Sequence, residues 1–187
     1  MSLFHYIGAP RELPLGQRGG RRSEENIQNH SSPIIMFRDG RHPLIPLERF
    51  IADSEIKEEE IEVYDSLVDL AGVYIMPIHN GNKDIKKHFT NPFVYQIAAS
   101  WGSFHLNSTL KDNYPDDYKV NVRCMEVLAQ LIQDYGAGGE VFELYSSWAD
   151  EEYKDKDRSL TQIMDLKSMV VLEHFELIDR QYIQVKL

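Results

Sequence analysis

Between Tyr118 and Tyr135 apolar residues recur at three- and four-residue steps: Tyr118, Val122, Met125, Ala129 and Ile132, with Cys124, Leu128, Leu131 and Tyr135 on the adjoining row. That period predicts one long amphipathic helix, and Lys119, Arg123, Glu126, Gln130 and Gln133 trace its wet side half a turn away. Pro115, Asp116 and Asp117 open it, placing carboxylates where first-turn amides and the positive end of the dipole attract them. Gly136 stands where a left-handed terminator is expected, and Gly138 and Gly139 stop the helix from resuming. From Glu140 to Ser146 the period changes to two. Phe142 and Leu144 alternate with Glu143 and Tyr145, which predicts a strand with one wet face. A fully buried Leu, Phe or Met contributes roughly 1.5 to 3 kcal/mol, and only a sheet or a second helix covers so many at once. The helix is therefore expected to lie on a sheet containing this strand.

The same patterns, taken along the chain, predict further elements. Ser2–Ile7 reads as a first strand, and 8–32, rich in Gly, Arg, Asn and Ser, as a mobile surface loop. Pro33–Phe37 and Pro43–Leu47 suggest a hairpin about Asp39 and Gly40, weakened by Pro43 and Pro46. Ile61, Tyr64, Leu67 and Val68 fit a helix over 58–70, with Glu55, Glu58, Glu59, Glu60 and Glu62 as its wet side. Gly72–Ile78 is a buried strand closed by Asn80 and Gly81. Phe93–Ser100 is the cleanest strand in the chain, extended past a bulge by Trp101–Phe104. Asn107–Tyr114 is loop, Leu160–Met169 a short helix capped by Ser159, and Glu176–Leu187 one or two strands with Ile183, Val185 and Leu187 on one face.

Composition narrows the class. At 187 residues the chain suits a single domain, 1–187, with a real core, and its 42% hydrophobic share argues against disorder. One cysteine, Cys124, falls in the apolar band of the helix and reads as core. Residues 1–10 have neither the basic start nor the apolar run of a signal peptide, and no stretch approaches the length of a membrane span, so a soluble cytoplasmic protein is expected. Net charge is −10. Residues 1–50 hold seven arginines, no lysine and five acids, a balance of +2 that leaves −12 for the rest. An acidic body repels phosphate backbones, which argues against nucleic acid and for a basic partner.

Candidate chemistry is sparse. Arg18, Arg21 and Arg22 sit among Gly16, Gly19 and Gly20, yet no lysine followed by a hydroxyl residue closes a phosphate loop. His79, His88 and His105 are the only histidines that strand order could gather, and none has a local partner at ligand spacing, so neither a metal nor a cofactor is expected. Ser146 and Ser147 lack the glycine framing of a nucleophile elbow. An acid and base pair of His105 with Glu143 is open to assembly in space. No catalytic residue is assigned. The stretch Tyr145–Tyr153 stands out, because Tyr145, Trp148 and Tyr153 are set among Asp150, Glu151 and Glu152. Aromatic rings supply contact area at low entropy cost, and carboxylates speed encounter with a basic surface.

These observations predict an α+β domain, a mostly antiparallel sheet of about five or six strands with helices chiefly on one face. The leading functional expectation is a module that binds a basic protein through Tyr145, Trp148, Asp150, Glu151, Glu152 and Tyr153, as an inhibitor or immunity-type antidote does. An enzyme acting on a small anionic substrate beneath Arg18, Arg21 and Arg22 ranks second. An assembly subunit pairing through Phe93–Ser100 ranks third, and the oligomeric state is left open.

Overall fold

A computed structural model describes residues 2–24, 34–37, 61–78, 83–170 and 173–187. In chain order its elements are β1 (Leu3–Ala9), β2 (Gly16–Arg18), β3 (Ile34–Phe37), β4 (Ile61–Tyr64), α1 (Leu67–Leu70), β5 (Gly72–Pro77), a 3-10 helix (Lys83–His88), β6 (Phe93–Ser100) and β7 (His105–Leu106). They continue with α2 (Ser108–Asn113), α3 (Pro115–Tyr135), β8 (Val141–Trp148), a 3-10 turn (Arg158–Leu160), β9 (Thr161–Asp165), α4 (Leu166–Val170), β10 (Phe175–Glu176) and β11 (Tyr182–Lys186). The fold is α+β. Two compact units are formed, Met1–Gly19 with Ala71–Leu187, and Gly20–Leu70.

The larger unit is built on a mixed seven-stranded sheet in the order β2-β5-β6-β1-β8-β11-β9. All neighbours run antiparallel except β9, which is parallel to β11. The sheet exceeds the expected five or six strands for two reasons. Gly16–Arg18, inside the stretch read as loop, pairs with β5, and Thr161–Asp165, inside the stretch read as helix, pairs with β11. A three-residue strand and a strand flanked by two helical turns leave almost no periodicity to detect. The cleanest predicted strand, β6, is bonded to β5 on one side and β1 on the other, so Phe93–Ser100 has no free edge to pair between chains.

The organising helix is present as α3 and packs against β5 and β6. Val120, Cys124, Val127, Leu128, Leu131 and Ile132 are buried, and the Cys124 thiol, raised by burial to about 11, donates to the Ser100 carbonyl. Its ends differ from expectation. Tyr114 is the N-cap and makes no side-chain cap bond, so Pro115 at the first helical position and the two following acids act through backbone preference and the dipole. Gly136 is extended at φ −108°, not left-handed. A Cβ there would come within 2.3 Å of the Leu187 side chain, so this glycine is required for space rather than for conformation.

Sheet register sets which side chains share a face. His5, Ile7, Leu144, Ser146, Ile183 and Ile97 lie on one side, and Tyr6, Gly8, Glu143, Tyr145, Tyr182 and Gln184 on the other. Both are covered at the centre, for every residue from Phe142 to Ser147 is buried. The expectation of a wet face on this strand is therefore wrong. Tyr6, Ile85, Tyr145 and Tyr182 form a buried cluster with Phe4, Ile78 and Phe89 packed against it.

In the smaller unit β3 and β4 pair antiparallel, and Met36, Tyr64 and Leu70 make a small core with Ile34. Ile61–Tyr64 is thus a strand where a helix is expected, and only Leu67–Leu70 is helical. The sequence Ile-Glu-Val-Tyr is rich in β-branched and aromatic residues, and cross-strand packing on Ile34–Phe37 overrides its three-residue spacing. Pro43–Leu47, Glu55–Glu60, Asn80 and Gly81 lie outside the described residues. Among the described residues no helix is long and apolar enough to cross a membrane.

Candidate functional site

The stretch singled out by its aromatic and acidic residues leaves β8 at Trp148 and returns across the tyrosine-bearing face of the sheet as a strap over residues 149–157. Ala149 N donates to the Ser2 carbonyl at 2.9 Å, and Asp150 turns the chain at φ 66°, a left-handed conformation that Asp tolerates better than most residues. Beyond this turn the backbone makes few bonds of its own. Four consecutive carbonyls are held instead by side chains from other elements. His88 Nε2 reaches the Glu152 carbonyl at 2.8 Å, Lys87 Nζ the Tyr153 carbonyl, the Tyr145 hydroxyl the Lys154 carbonyl at 3.2 Å, and Arg180 Nε the Asp155 carbonyl at 2.8 Å. Two of these donors are neighbours on the 3-10 helix, one stands on β8 and one precedes β11.

Side chains complete the anchoring. The Tyr6 hydroxyl donates to Glu152 Oε1 at 3.1 Å, and Glu152 is buried. His88 stacks on Tyr145 with ring centroids 4.4 Å apart, and Phe89 meets the same ring edge-on. Burial lowers the His88 pKa, and the contact with a carbonyl oxygen fixes the neutral ring as the tautomer with a proton on Nε2. Burial raises the Tyr145 hydroxyl to about 12, so both donors keep their protons at neutral pH.

Beneath the strap Glu143 is fully buried and accepts from Thr90 N at 3.0 Å, Thr90 Oγ1 at 2.7 Å, Asn91 N at 2.8 Å and the Tyr182 hydroxyl. Burial alone would raise its carboxyl, but the bonds from Tyr182, Thr90 and Asn91 pull it below the ordinary value, and it is charged. The Tyr182 hydroxyl is raised by burial and by that carboxylate. Lys156 Nζ lies 3.2 Å from the centroid of the Tyr182 ring, lowered by burial against the opposing pull of Glu143.

Of the six residues expected to present a binding surface, two are inside. Tyr145 is fully buried and Glu152 nearly so, because each points down to hold the strap. Trp148 is half-buried, its backbone N donating to Asp179 Oδ1, and Glu151 pairs with Lys154 at 2.7 Å. Asp150 and Tyr153 face solvent, Tyr153 at 59% exposure. Asp155 joins them with its side chain 93% exposed.

The remaining candidates separate. Glu143 is committed to Thr90, Asn91 and Tyr182, while His105 pairs with Glu176 at 3.3 Å, so the two do not form an acid and base pair. Ser146 Oγ lies 2.8 Å from His5 Nδ1 across the β1 and β8 ladder, but Ser146 is fully buried and the His5 ring, pushed by burial down to about 4, stacks edge-on with Phe104. That pair is structural. His79 lies outside the described residues. Arg18 donates to the Leu15 carbonyl, and Arg22 pairs with Glu62, which also accepts from Tyr64. Arg18 belongs to the larger unit and Arg21 and Arg22 to the smaller. Gly19 has φ 95° and a Cβ there would meet Val127 at 2.4 Å, so it serves close packing on α3. A groove of about 1250 Å³ along the outer side of α3 carries Arg18, Arg123, Lys167 and Lys186, but Glu126, Asp134 and Asp165 share it and leave no anion-selective field.

No family model, curated protein or solved structure matches this chain. Sequence reasoning missed Tyr6, Lys87, Arg180, Tyr182 and Lys156, and weighed His88 only as a metal ligand. Their partners in the strap lie far along the chain, as with the 146 residues between Tyr6 and Glu152, and no local pattern signals such contacts.

Proposed function

We propose that this chain is a protein-binding module, of inhibitor or immunity type, that holds a basic partner through the outer side of the strap 149–157. One observation carries this reading. Four successive carbonyls of an otherwise irregular segment are tied down by side chains, so Asp150, Tyr153 and Asp155 are presented in a fixed arrangement. Preorganisation lowers the ordering cost of association, which is where a small interface gains most of its affinity. Tyr153 supplies an aromatic anchor and the carboxylates steer a basic surface, within a body of net charge −10. Tyr145 and Glu152 serve this surface from below.

The test starts from native mass spectrometry at low salt on protein purified from its own host, which identifies any co-purifying basic protein. Asp150→Lys with Asp155→Lys, and separately Tyr153→Ala, should each weaken affinity for that protein by about tenfold or more, the charge reversal most at low salt. Unchanged affinity in both variants overturns the proposal.

Assembly is a second reading, favoured by a strand other than the one expected. β9 ends the sheet, Ile163 is 61% exposed, and Thr161–Asp165 contains no proline, lysine or bulge of the kind that protects natural edges. Light scattering should then show a stable oligomer that Ile163→Lys dissociates. A monomer at all concentrations dismisses it.

A further inference from the structure

β9 ends the sheet beyond β11, and among the described strands nothing pairs with its outer side. Thr161 N is taken by the Arg158 carbonyl rather than by β11. Successive amides of a strand point to opposite sides, so the N–H and C=O of Ile163 also face away from the sheet. Thr161, Gln162, Ile163 and Asp165 are exposed, and Asp165 is the only charge on the strand. Laid antiparallel on a second copy of itself with Ile163 opposite Ile163, this strand is its own complement. Thr161 then faces Asp165 of the second copy and Gln162 faces Met164, so hydroxyl meets carboxylate, the two isoleucines cover each other and no like charges are opposed. Centring the pair on Gln162 or Met164 instead leaves two residues of each β9 without a partner.

From this pattern we infer that two copies of the chain join through β9 about a twofold axis normal to the sheet, in the register centred on Ile163, to make one continuous sheet of twice seven strands. Ile163 is paired with Gln184 and therefore lies on the tyrosine-bearing face. A twofold normal to the sheet keeps this face of both copies on the same side. The two straps thus look the same way, and Asp150, Tyr153 and Asp155 are presented twice to one partner. A basic partner that reaches both surfaces is held far more tightly than by one, because the second contact is intramolecular. The dimer deepens the assembly reading and rests on it, while only its use as a doubled surface rests on the strap.

Cysteine cross-linking tests the arrangement, because Cys124 is buried and wild type supplies the blank. In this register the two Ile163 Cα atoms lie about 5.5 Å apart, within reach of a disulfide, whereas Asp165 stands roughly 13 Å from its own counterpart. Under mild oxidation with diamide, Ile163→Cys should give at least about tenfold more disulfide-linked dimer than Asp165→Cys alone, and an equal mixture of Thr161→Cys and Asp165→Cys chains should cross-link as Ile163→Cys does. Self-linking of Asp165→Cys as strong as that of Ile163→Cys marks a parallel pair with opposed faces and overturns the proposal, as does failure of the mixed pair to link. Either result, with an oligomer that Ile163→Lys still dissociates, leaves the assembly reading standing. A monomer at all concentrations, or an oligomer indifferent to Ile163→Lys, rejects both.

Discussion

Residues 149–157 and 111–118 are nearly alike in composition, each a short run of acids with lysine and tyrosine, yet the structure uses them in different ways. In the strap Glu152 is buried under Tyr6, Lys156 is laid on Tyr182, and four carbonyls are taken by side chains from elsewhere. At the corner between α2 and α3, residues 111–117 are all exposed. Its ion pairs, Lys111 with Glu173 and Lys119 with Asp116, are solvent-facing, and its shape comes from backbone bonds such as Tyr118 N to the Tyr114 carbonyl. Charge composition therefore does not tell which acids are available to a partner. The corner keeps its side chains exposed because helix backbone satisfies itself, whereas an irregular strap must borrow donors and spends some of its own side chains in doing so.

The sharpest way to break this contrast is at the floor of the strap. Glu143→Ala leaves the Thr90 and Asn91 amides and the Thr90 and Tyr182 hydroxyls without their acceptor. A loss of about 3 to 5 kcal/mol is expected in urea unfolding. Asp116→Ala at the corner should cost less than about 1 kcal/mol, since its exposed pair with Lys119 contributes little and a first-turn acid adds only a small dipole term.

Acid should act next. His5 is held down at about 4 and His88 is also lowered, each first by burial, while the unfolded rings keep the ordinary value near 6.5. Between these values the unfolded chain binds more protons than the folded one, so stability is present above about pH 6.5 and is lost as pH falls toward 4. The His5 shift alone corresponds to about 3 kcal/mol at most. His5→Gln should flatten the pH dependence of urea midpoints over this interval, and an unchanged slope would show that the ring is not buried neutral.

Smaller effects follow at the strap itself. Tyr6→Phe removes one donor to buried Glu152 and should cost about 0.5 to 1.5 kcal/mol, with faster amide exchange at Lys154 and Asp157. Tyr153→Ala should stay within about 0.5 kcal/mol of wild type in stability while weakening partner binding. Neutralising Asp112, Asp116 and Asp117 together should leave partner binding unchanged; loss of partner affinity there would move the binding surface to the corner.

Much of the framework was legible in advance. Repetition at 3.6 residues identified α3 and placed Cys124 in the core, alternation identified β1, β6, β8 and β11, and an apolar run identified β5, because these patterns depend on the chain's own backbone. The candidate site was legible only as a location. Asp150 and Tyr153 were picked out with Tyr145 and Glu152, which turned out to face inward. Alternation placed Glu143 and Tyr145 together on one side of a strand, correctly, and called that side wet for want of any sign that residues 149–157 and the 3-10 helix would cover it.

By itself, then, the sequence determined the long helix, the main strands, the acidic character and the segment where aromatic and acidic residues meet. Tertiary structure alone decided that β2 and β9 complete the sheet, that Ile61–Tyr64 is a strand, and which acids of the strap are buried. The physical reason is one of range. Periodicity records how a residue sits on its own helix or strand, while the burial of Glu143, Glu152 and Lys156 depends on donors, acceptors and rings supplied by distant segments, and those meet only after the chain has folded.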